Sequence, residues 1–446
     1  MGSPSRCSLV TRAGLRPAFL RGQRGWAGAA GCRIRDKLEN MTRRALSALR
    51  AGFRSLEVRN YRLYFWGQLI SLTGTWMQST AQALLVLRIA DTPAAVGLVA
   101  GFQFLPSLLF VLPSGVWADR SDRYRLIFWS QTLAMLLAAV FAALVSWGHI
   151  RLWQIYWLVF LQGTVNAVSQ PVRRAFVVNL VDPERRANAL ALNSAAFNGS
   201  RVLGPALAGL LIGPLGLAAM FWLNALSFLA VLVGLRLMDM RSLPAPRRGG
   251  RVRIWSELGE GLGYLWRHPE LRRLTLLVAF IGTFGYNFTV ILPLVGGYAL
   301  HLQDKSAEYG GLGAMLGFGS LAGALFTLYG GRPRLGRLLW IAALFGGVLG
   351  GLALSPSYLA SSLLLLGLGL SGVFFSTQAN NFLQLEAPDE LRGRVSSVYQ
   401  LLLLGSTPLG GLFIGGASHL LGVQAALLLC AVLCWVGVTL ALPKPG

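Results

Sequence analysis

From Leu63 to Leu442 the chain alternates between long apolar runs and short polar connections. A helix needs roughly twenty apolar residues to cross a bilayer core of about 30 Å. The runs supply twelve such helices, over 63–87, 94–117, 126–147, 152–172, 188–213, 217–237, 273–298, 309–329, 338–354, 358–384, 395–417 and 422–442. Several are joined by only a few residues, which sets consecutive helices antiparallel. The longest connection, 238–272, divides the pattern into an N-terminal bundle of six helices (63–237) and a C-terminal bundle of six (273–446). The expected fold is all-α and integral to a membrane.

Within that connection Pro244, Pro246, Arg247, Arg248, Gly249 and Gly250 read as flexible linker. Trp255, Leu258, Leu262, Leu265 and Trp266 follow at helical spacing, with Glu257, Glu260 and Arg267 placed elsewhere. This predicts an amphipathic helix lying on the membrane surface, in preference to a helix that binds a partner.

Polar residues inside the spans fall into stripes. In span one Gln68, Ser71, Thr75, Gln78 and Gln82 recur at three- and four-residue steps, which places them on one helical face. Span four offers Gln162, Asn166 and Gln170, span seven Asn287, and span ten Gln378 and Asn381. These are candidates for a central substrate cavity, and part of the set is expected to serve as hydrogen-bond glue between helices. Trp76, Phe284 and Phe375, near the same faces, suit a ring-bearing ligand and equally suit a bundle core. Arg201 lies inside span five. A guanidinium at that depth costs about 2.5–3.5 kcal/mol on insertion scales and persists only beside a partner or a cavity. No Asp or Glu lies within a span, so Arg201 is expected to line the cavity and attract anionic or electron-rich groups. A packing arginine bonded to backbone carbonyls is the plainer alternative.

Composition agrees with the pattern. Of 446 residues 54% are apolar and 13% charged, with a mean hydropathy of +0.57, which excludes a soluble, disordered or coiled-coil chain. The net charge of +23 comes from forty Lys and Arg, thirty-seven of them Arg. With the N-terminus cytoplasmic, thirty-six fall in cytoplasmic segments and only Arg88, Arg151 and Lys305 outside. That asymmetry predicts both termini cytoplasmic, in a bacterial inner membrane, and places the basic excess against phospholipid rather than nucleic acid. The tail 1–62 holds fourteen of the basic residues, and its first thirty-five residues contain no acid. Residues 1–40 read as a transit-like segment or, preferably, as sequence translated from too early a start, with Met41 a credible beginning. Cys430 and Cys434 share a helical face but have no His or carboxylate beside them, so they read as ordinary buried thiols. No metal, cofactor, nucleophile constellation or nucleotide loop is visible, and no enzyme is expected.

The two halves repeat. An offset of 206 residues brings Phe176 onto Phe382, Glu184 onto Glu390, Arg186 onto Arg392, and Gly199, Gly204 and Gly209 onto Gly405, Gly410 and Gly415. Repeated halves are the architecture of transporters that rock two bundles around a midplane site. Between spans two and three, Gly115-Val-Trp-Ala-Asp119-Arg120-Ser-Asp122-Arg123 packs acid and base into a short loop. Asp119 can accept from a helix N-terminus and the arginines can clamp a carboxylate, forming a latch that breaks during switching.

That loop resembles the loop 2–3 signature of the major facilitator superfamily, which usually has Gly where this chain has Asp122. Gly330-Gly-Arg332-Pro-Arg334-Leu-Gly336-Arg337 looks like a degenerate second copy. Arg59-Asn-Tyr-Arg62-Leu-Tyr-Phe, the segment from Glu260 to His268-Pro, and Asn198-Gly-Ser-Arg201-Val-Leu-Gly204-Pro205-Ala-Leu-Ala-Gly209 resemble the branch of enterobactin and macrolide exporters. Gly204, Pro205 and Gly209 also resemble the span-five motif of superfamily antiporters, which implies a flexing element, with plain tight helix packing the equal alternative. The span-four motif is incomplete, with Gln162-Gly163 present but Val159 in place of its arginine. The resemblance implies proton-driven export of a small amphipathic molecule, drug- or siderophore-like, by a monomer. Flipping or import of a lipid-like molecule, and a membrane sensor without transport, are the alternatives.

Overall fold

The computed structural model describes residues 52–90, 92–120, 122–239, 254–388 and 390–443. Its helices are α1 (Arg59–Ile89), α2 (Pro93–Arg120), α3 (Arg123–Ser146), α4 (Leu152–Asn179), α5 (Arg186–Arg236), α6 (Ile254–Arg267), α7 (Pro269–Phe280), α8 (Phe288–Pro293), α9 (Ser306–Tyr329), α10 (Leu335–Leu354), α11 (Tyr358–Glu386), α12 (Arg392–Leu404), α13 (Thr407–Leu421) and α14 (Val423–Ala441). The tail 1–51, Asp91, the Pro/Gly-rich part of the linker and Lys444 lie outside the described residues.

Among the described residues nine helical segments are long and apolar enough to cross a membrane. One of them runs through α5, which leaves helical geometry at Gly216 (φ 80°, ψ 166°) and there turns back on itself. The first arm of α5 runs alongside α1, with the Tyr61 hydroxyl donating to Ala189 O and Thr73 to Ser200 Oγ. The second arm runs against it, with Gly234 on Leu63 and Asn224 bonded to Gln78. Helices α1 and α4, 31 and 28 residues long, are not among these nine, and with them the described helices are consistent with twelve crossings.

The repeat is visible in the backbone. Helix α4 starts at Leu152 and α11 at Tyr358, α5 at Arg186 and α12 at Arg392, each pair 206 residues apart. Gly422, the partner of Gly216, has φ 85° and ψ 158°. Both fall in a region that is essentially glycine-only. A Cβ at either would meet nothing within 4 Å, so its cost is backbone strain alone. Gly216→Ala and Gly422→Ala should each lower stability by about 1–3 kcal/mol, read as a fall in melting temperature in detergent. A shift at one glycine without the other would break the equivalence.

The glycine contacts obey the same symmetry. Gly204 packs on Trp76 and Met77 of α1, the first crossing of its own half, and Gly410 packs on Thr283 and Asn287 of span seven, the first crossing of the other. Gly209 meets Gly310 of α9, and Gly415 meets Gly97 of α2, so each reaches across to the second crossing of the opposite half. Small residues at these crossings let backbones touch. Lipid-facing surfaces are apolar. Trp129, Leu133, Leu136 and Val140 form an exposed stripe along α3, and Trp340 and Leu344 stand out from α10.

Four details depart from the expected spans. Span four continues two turns beyond residue 172 to Asn179, with Pro171 inside the helix. Spans five and six form one interrupted helix. Span seven is broken into α7, a π-helical turn over Ile281–Gly285, α8 and a second π turn over Leu294–Ala299. Span eleven breaks at Gly405-Ser406, between α12 and α13, where Pro408 opens the second piece.

Asp122 has a structural reason to replace glycine. It caps α3, accepting from Tyr124 N at 3.0 Å and Arg125 N at 3.4 Å. The linker helix α6 docks on the second half. Its Gly261 lies on the Arg394 backbone, Glu260 pairs with Arg394, and the Tyr264 hydroxyl donates to Glu386 O at 3.0 Å. Leu265 is fully buried, whereas Leu262 and Trp266 stay half exposed; the side chains of Trp255 and Leu258 lie outside the described residues.

Candidate substrate cavity

A central cavity of about 550 Å³ lies between the halves. Spans one, two, four and five of the first half supply most of its wall, and spans seven, eight and eleven of the second half close it. Toward the arginine-rich end its lining is open, with Gln170, Arg174, Ser194 and Phe197 exposed. Toward the opposite end Val86, Val96, Ala100 and Tyr309 are all buried. The cavity therefore opens at one end only.

Contacts between the halves seal the other end. A Cβ on Gly310 would lie 2.6 Å from Gly209 Cα and from Pro205 O, and one on Gly97 2.8 Å from Gly415 Cα. Nearer the surface, Arg88 pairs with Asp304 at 3.4 Å and donates to Gln303 O. The hydroxyls of Tyr298 and Ser306 donate to Ala90 O and Gly209 O, each at 3.4 Å.

Gln68, Gln82, Gln170 and Arg201 line the cavity. Arg201 is placed by the close crossing of α5 over α1 at Gly204, one turn further on. Its guanidinium carbon stands 5.6 Å from the Trp76 ring and 5.3 Å from the Phe288 ring, so the cation touches an aromatic from each half. The interruption of span seven at Tyr286-Asn287 lets Tyr286 and Phe288 both reach the cavity. Their rings lie 4.8 Å apart. Pro205 also lines the wall, while α5 runs on as helix through it.

The other six proposed lining residues sit elsewhere, each for a local reason. Thr75 donates back to Ser71 O at 2.9 Å, and Gln78 Oε1 accepts from Asn224 Nδ2 at 2.6 Å, so both join the seam between α1 and the second arm of α5. Asn166 is half-buried on α4 outside the lining. Asn287 is fully buried, its amide donating to Thr283 O at 2.6 Å within the broken part of span seven. Gln378 is buried behind Gly330, and Asn381 is exposed near the end of α11. Of the aromatics, Trp76 lines the cavity, Phe284 packs on Phe413, and Phe375 is fully buried. For the latch, the backbone carries Gly115, Asp119 and Arg120 in the last turns of α2 and Arg123 at the start of α3; the side chains of Asp119 and Arg120 lie outside the described residues.

Sequence reasoning missed Arg173 and Arg174. Assigned to a basic loop, they belong to the extension of α4 and line the cavity. The signal was available, because they continue the stripe of Asn166 and Gln170 by one further helical step. Gln103, Asn193, Asn198 and Tyr309 also line the cavity without having been singled out. Three buried polar atoms on lining residues have no hydrogen-bond partner, namely Gln68 Oε1, Arg173 Nε and Tyr309 Oη.

Two repeated helical halves around a central cavity sealed at one end define a secondary transporter. The chain belongs to the major facilitator family described as transmembrane secretion effectors, whose sequence model matches residues 50–444. It is 24% identical to the staphyloferrin A transporter of Staphylococcus aureus, over 81% of this chain and 90% of that protein. It is 25% identical to the multidrug efflux pump Tap of Mycolicibacterium fortuitum, over 82% and 91%. Among solved structures, a bacterial homologue of the human lysosomal transporter Spinster superposes with a TM-score of 0.66 at 15% identity, covering 86% of this chain and 96% of the other.

Proposed function

We propose that this transporter exports a small amphipathic organic molecule by alternating access, driven by the proton gradient, as a monomer in a bacterial inner membrane. The observation that carries the reading is the cavity itself, open at the arginine-rich end and sealed at the other by backbone contacts between the halves. Positive charge favours the cytoplasmic face, so both termini and the opening lie inside and the cavity is poised to load from the cytoplasm. The substrate crosses chemically unchanged.

In this cycle the bundles 63–237 and 273–446 rock against each other, joined by the linker 238–272. Gly115, Asp119, Arg120 and Arg123 form the latch that holds the inner end when it closes. Gly204, Pro205 and Gly209 form the flexing element, since Pro205 frees a carbonyl in a helix that contacts both halves. The staphyloferrin A transporter and the Tap pump support the substrate class by name.

Inverted vesicles test this directly. With an imposed proton gradient, uptake of siderophores, macrolides or amphipathic dyes should be gradient-dependent, abolished by an uncoupler, and at least about tenfold lower in Asp119→Asn, a loss of about 1.4 kcal/mol. Uptake indifferent to the gradient would overturn proton coupling, and no uptake of any compound would overturn export.

A further inference from the structure

We infer that the cavity is an anion site, and that its substrate is a ring-bearing organic anion carrying a carboxylate or similar group. The inference rests on the cavity being the transport site and names the class of molecule it takes. Three guanidiniums line it, Arg173 and Arg174 on α4 and Arg201 on α5. No described lining residue is Asp or Glu. Each arginine brings five N–H donors and no acceptor. Among the described residues none of the three has an ion pair or a hydrogen bond, and Arg173 Nε is buried without a partner.

Charges in a membrane protein are balanced by partners or by water. While the cavity is open, water reaches the exposed Arg174 and the half-buried Arg201, whereas Arg173 Nε is already buried. When the halves close around it, water leaves and like charges are left together in a low dielectric, which is unfavourable without a counter-charge. An anionic substrate supplies the missing counter-charge, so the filled carrier closes more readily than the empty one. A cationic substrate would add to the repulsion.

The apolar part of the ligand is indicated by the walls. The second half contributes chiefly Tyr286, Phe288, Leu292 and Tyr309, and the first half sets Trp76 edge-on to Phe197 at 5.9 Å. Arg201 lies within reach of a ring from each half, which places charge recognition beside the aromatic surfaces.

The test uses the purified full chain in neutral detergent and three probes matched in size: 1-naphthaleneacetate, 1-naphthaleneacetamide and 1-naphthylmethylammonium. Calorimetric titration should show the acetate binding at least about tenfold more tightly than the other two, a difference of about 1.4 kcal/mol. Raising ionic strength should weaken the acetate alone, a readout that needs no variant. The preference should vanish in Arg173→Gln/Arg201→Gln and persist in Arg201→Lys, which keeps the charge. Equal or undetectable binding of all three, or tighter binding of the ammonium, overturns the inference. Vesicle uptake separates it from the export reading: uptake blind to ligand charge sinks the anion site alone, whereas anion binding without uptake of any compound sinks export alone.

Discussion

Gly310→Val should trap the transporter with the opening at its arginine-rich end closed and reduce transport by about two orders of magnitude. In the described state the Gly310 Cα lies against Gly209 and Pro205 O, and a Cβ there would come within 2.6 Å of backbone atoms on both. Backbone cannot swing aside as a side-chain tip can. Overpacking of this kind costs typically 1–3 kcal/mol, and it falls only on the state in which the end away from the arginines is closed. A difference of that size moves a two-state equilibrium about 5–150-fold, and the cycle must pass through the penalised state on every turn. Gly97→Val strikes the symmetry-related contact with Gly415 and should behave alike. Gly199→Ala, where the added Cβ meets nothing within 4 Å, is the control and should transport normally. The conformational shift can be read by labelling Ser194→Cys, at the exposed part of the cavity, with an impermeant maleimide from the arginine-rich side. A Cys7→Ser/Cys32→Ser background leaves only the buried Cys430 and Cys434. Labelling should slow in Gly310→Val. Unchanged labelling with unchanged transport would show that the glycine contacts are not what closes the end away from the arginines.

The sequence made the crossings and the repeat legible because both depend on length and spacing. An apolar run long enough to span a bilayer has few other uses, and the 206-residue offset matches Gly216 to Gly422 as closely as it matches the helix starts. The breaks in spans seven and eleven were hidden for the same reason. A π turn such as Ile281–Gly285 changes hydrogen-bond register without changing composition, so hydropathy runs through it. The cavity was half legible. Periodicity assigned one polar face to α1, but the face that meets the cavity is centred on Leu72, Trp76, Ser79 and Val86, a fraction of a turn away. The two faces share an edge that holds Gln68 and Gln82. Thr75 and Gln78 turn instead to Asn224, whose amide no pattern within α1 could reveal. In the second half Asn287 and Gln378 are consumed by packing, and the wall there is aromatic and aliphatic. Arg173 and Arg174 lie beyond the roughly twenty residues that a crossing requires, where hydropathy ends a span. Basic residues just past a span read as orientation signals, but α4 carries these two into the cavity.

Arg201→Ala should lower transport by about 10–100-fold while leaving expression and melting temperature close to wild type. Arg201 is half-buried, contacts Trp76 and Phe288 through its guanidinium, and pairs with no carboxylate among the described residues. A structural arginine would instead anchor carbonyls or acids, and its loss would show first as instability. Cation–π contacts contribute roughly 0.5–2 kcal/mol each, and hydrogen bonds from a charged donor to a bound substrate about 1.5–3 kcal/mol. The second quantity is lost only when substrate is present, and at 1.4 kcal/mol per decade it accounts for the expected fall. Arg201→Lys separates charge from shape. It keeps the cation but loses the planar fork that stacks on two rings, so it should recover part of the transport and none of the stacking. Trp76→Leu probes the same site from its other side, because it removes the first half's ring and leaves the charge. Its expected loss is smaller, about threefold to tenfold, in line with one cation–π contact. The measurement is initial uptake in inverted vesicles at matched protein level, with melting curves on the same preparations. Full transport in Arg201→Ala would remove this arginine from the substrate site. A melting temperature lowered in proportion to the lost transport would return it to the packing of α5 against α1.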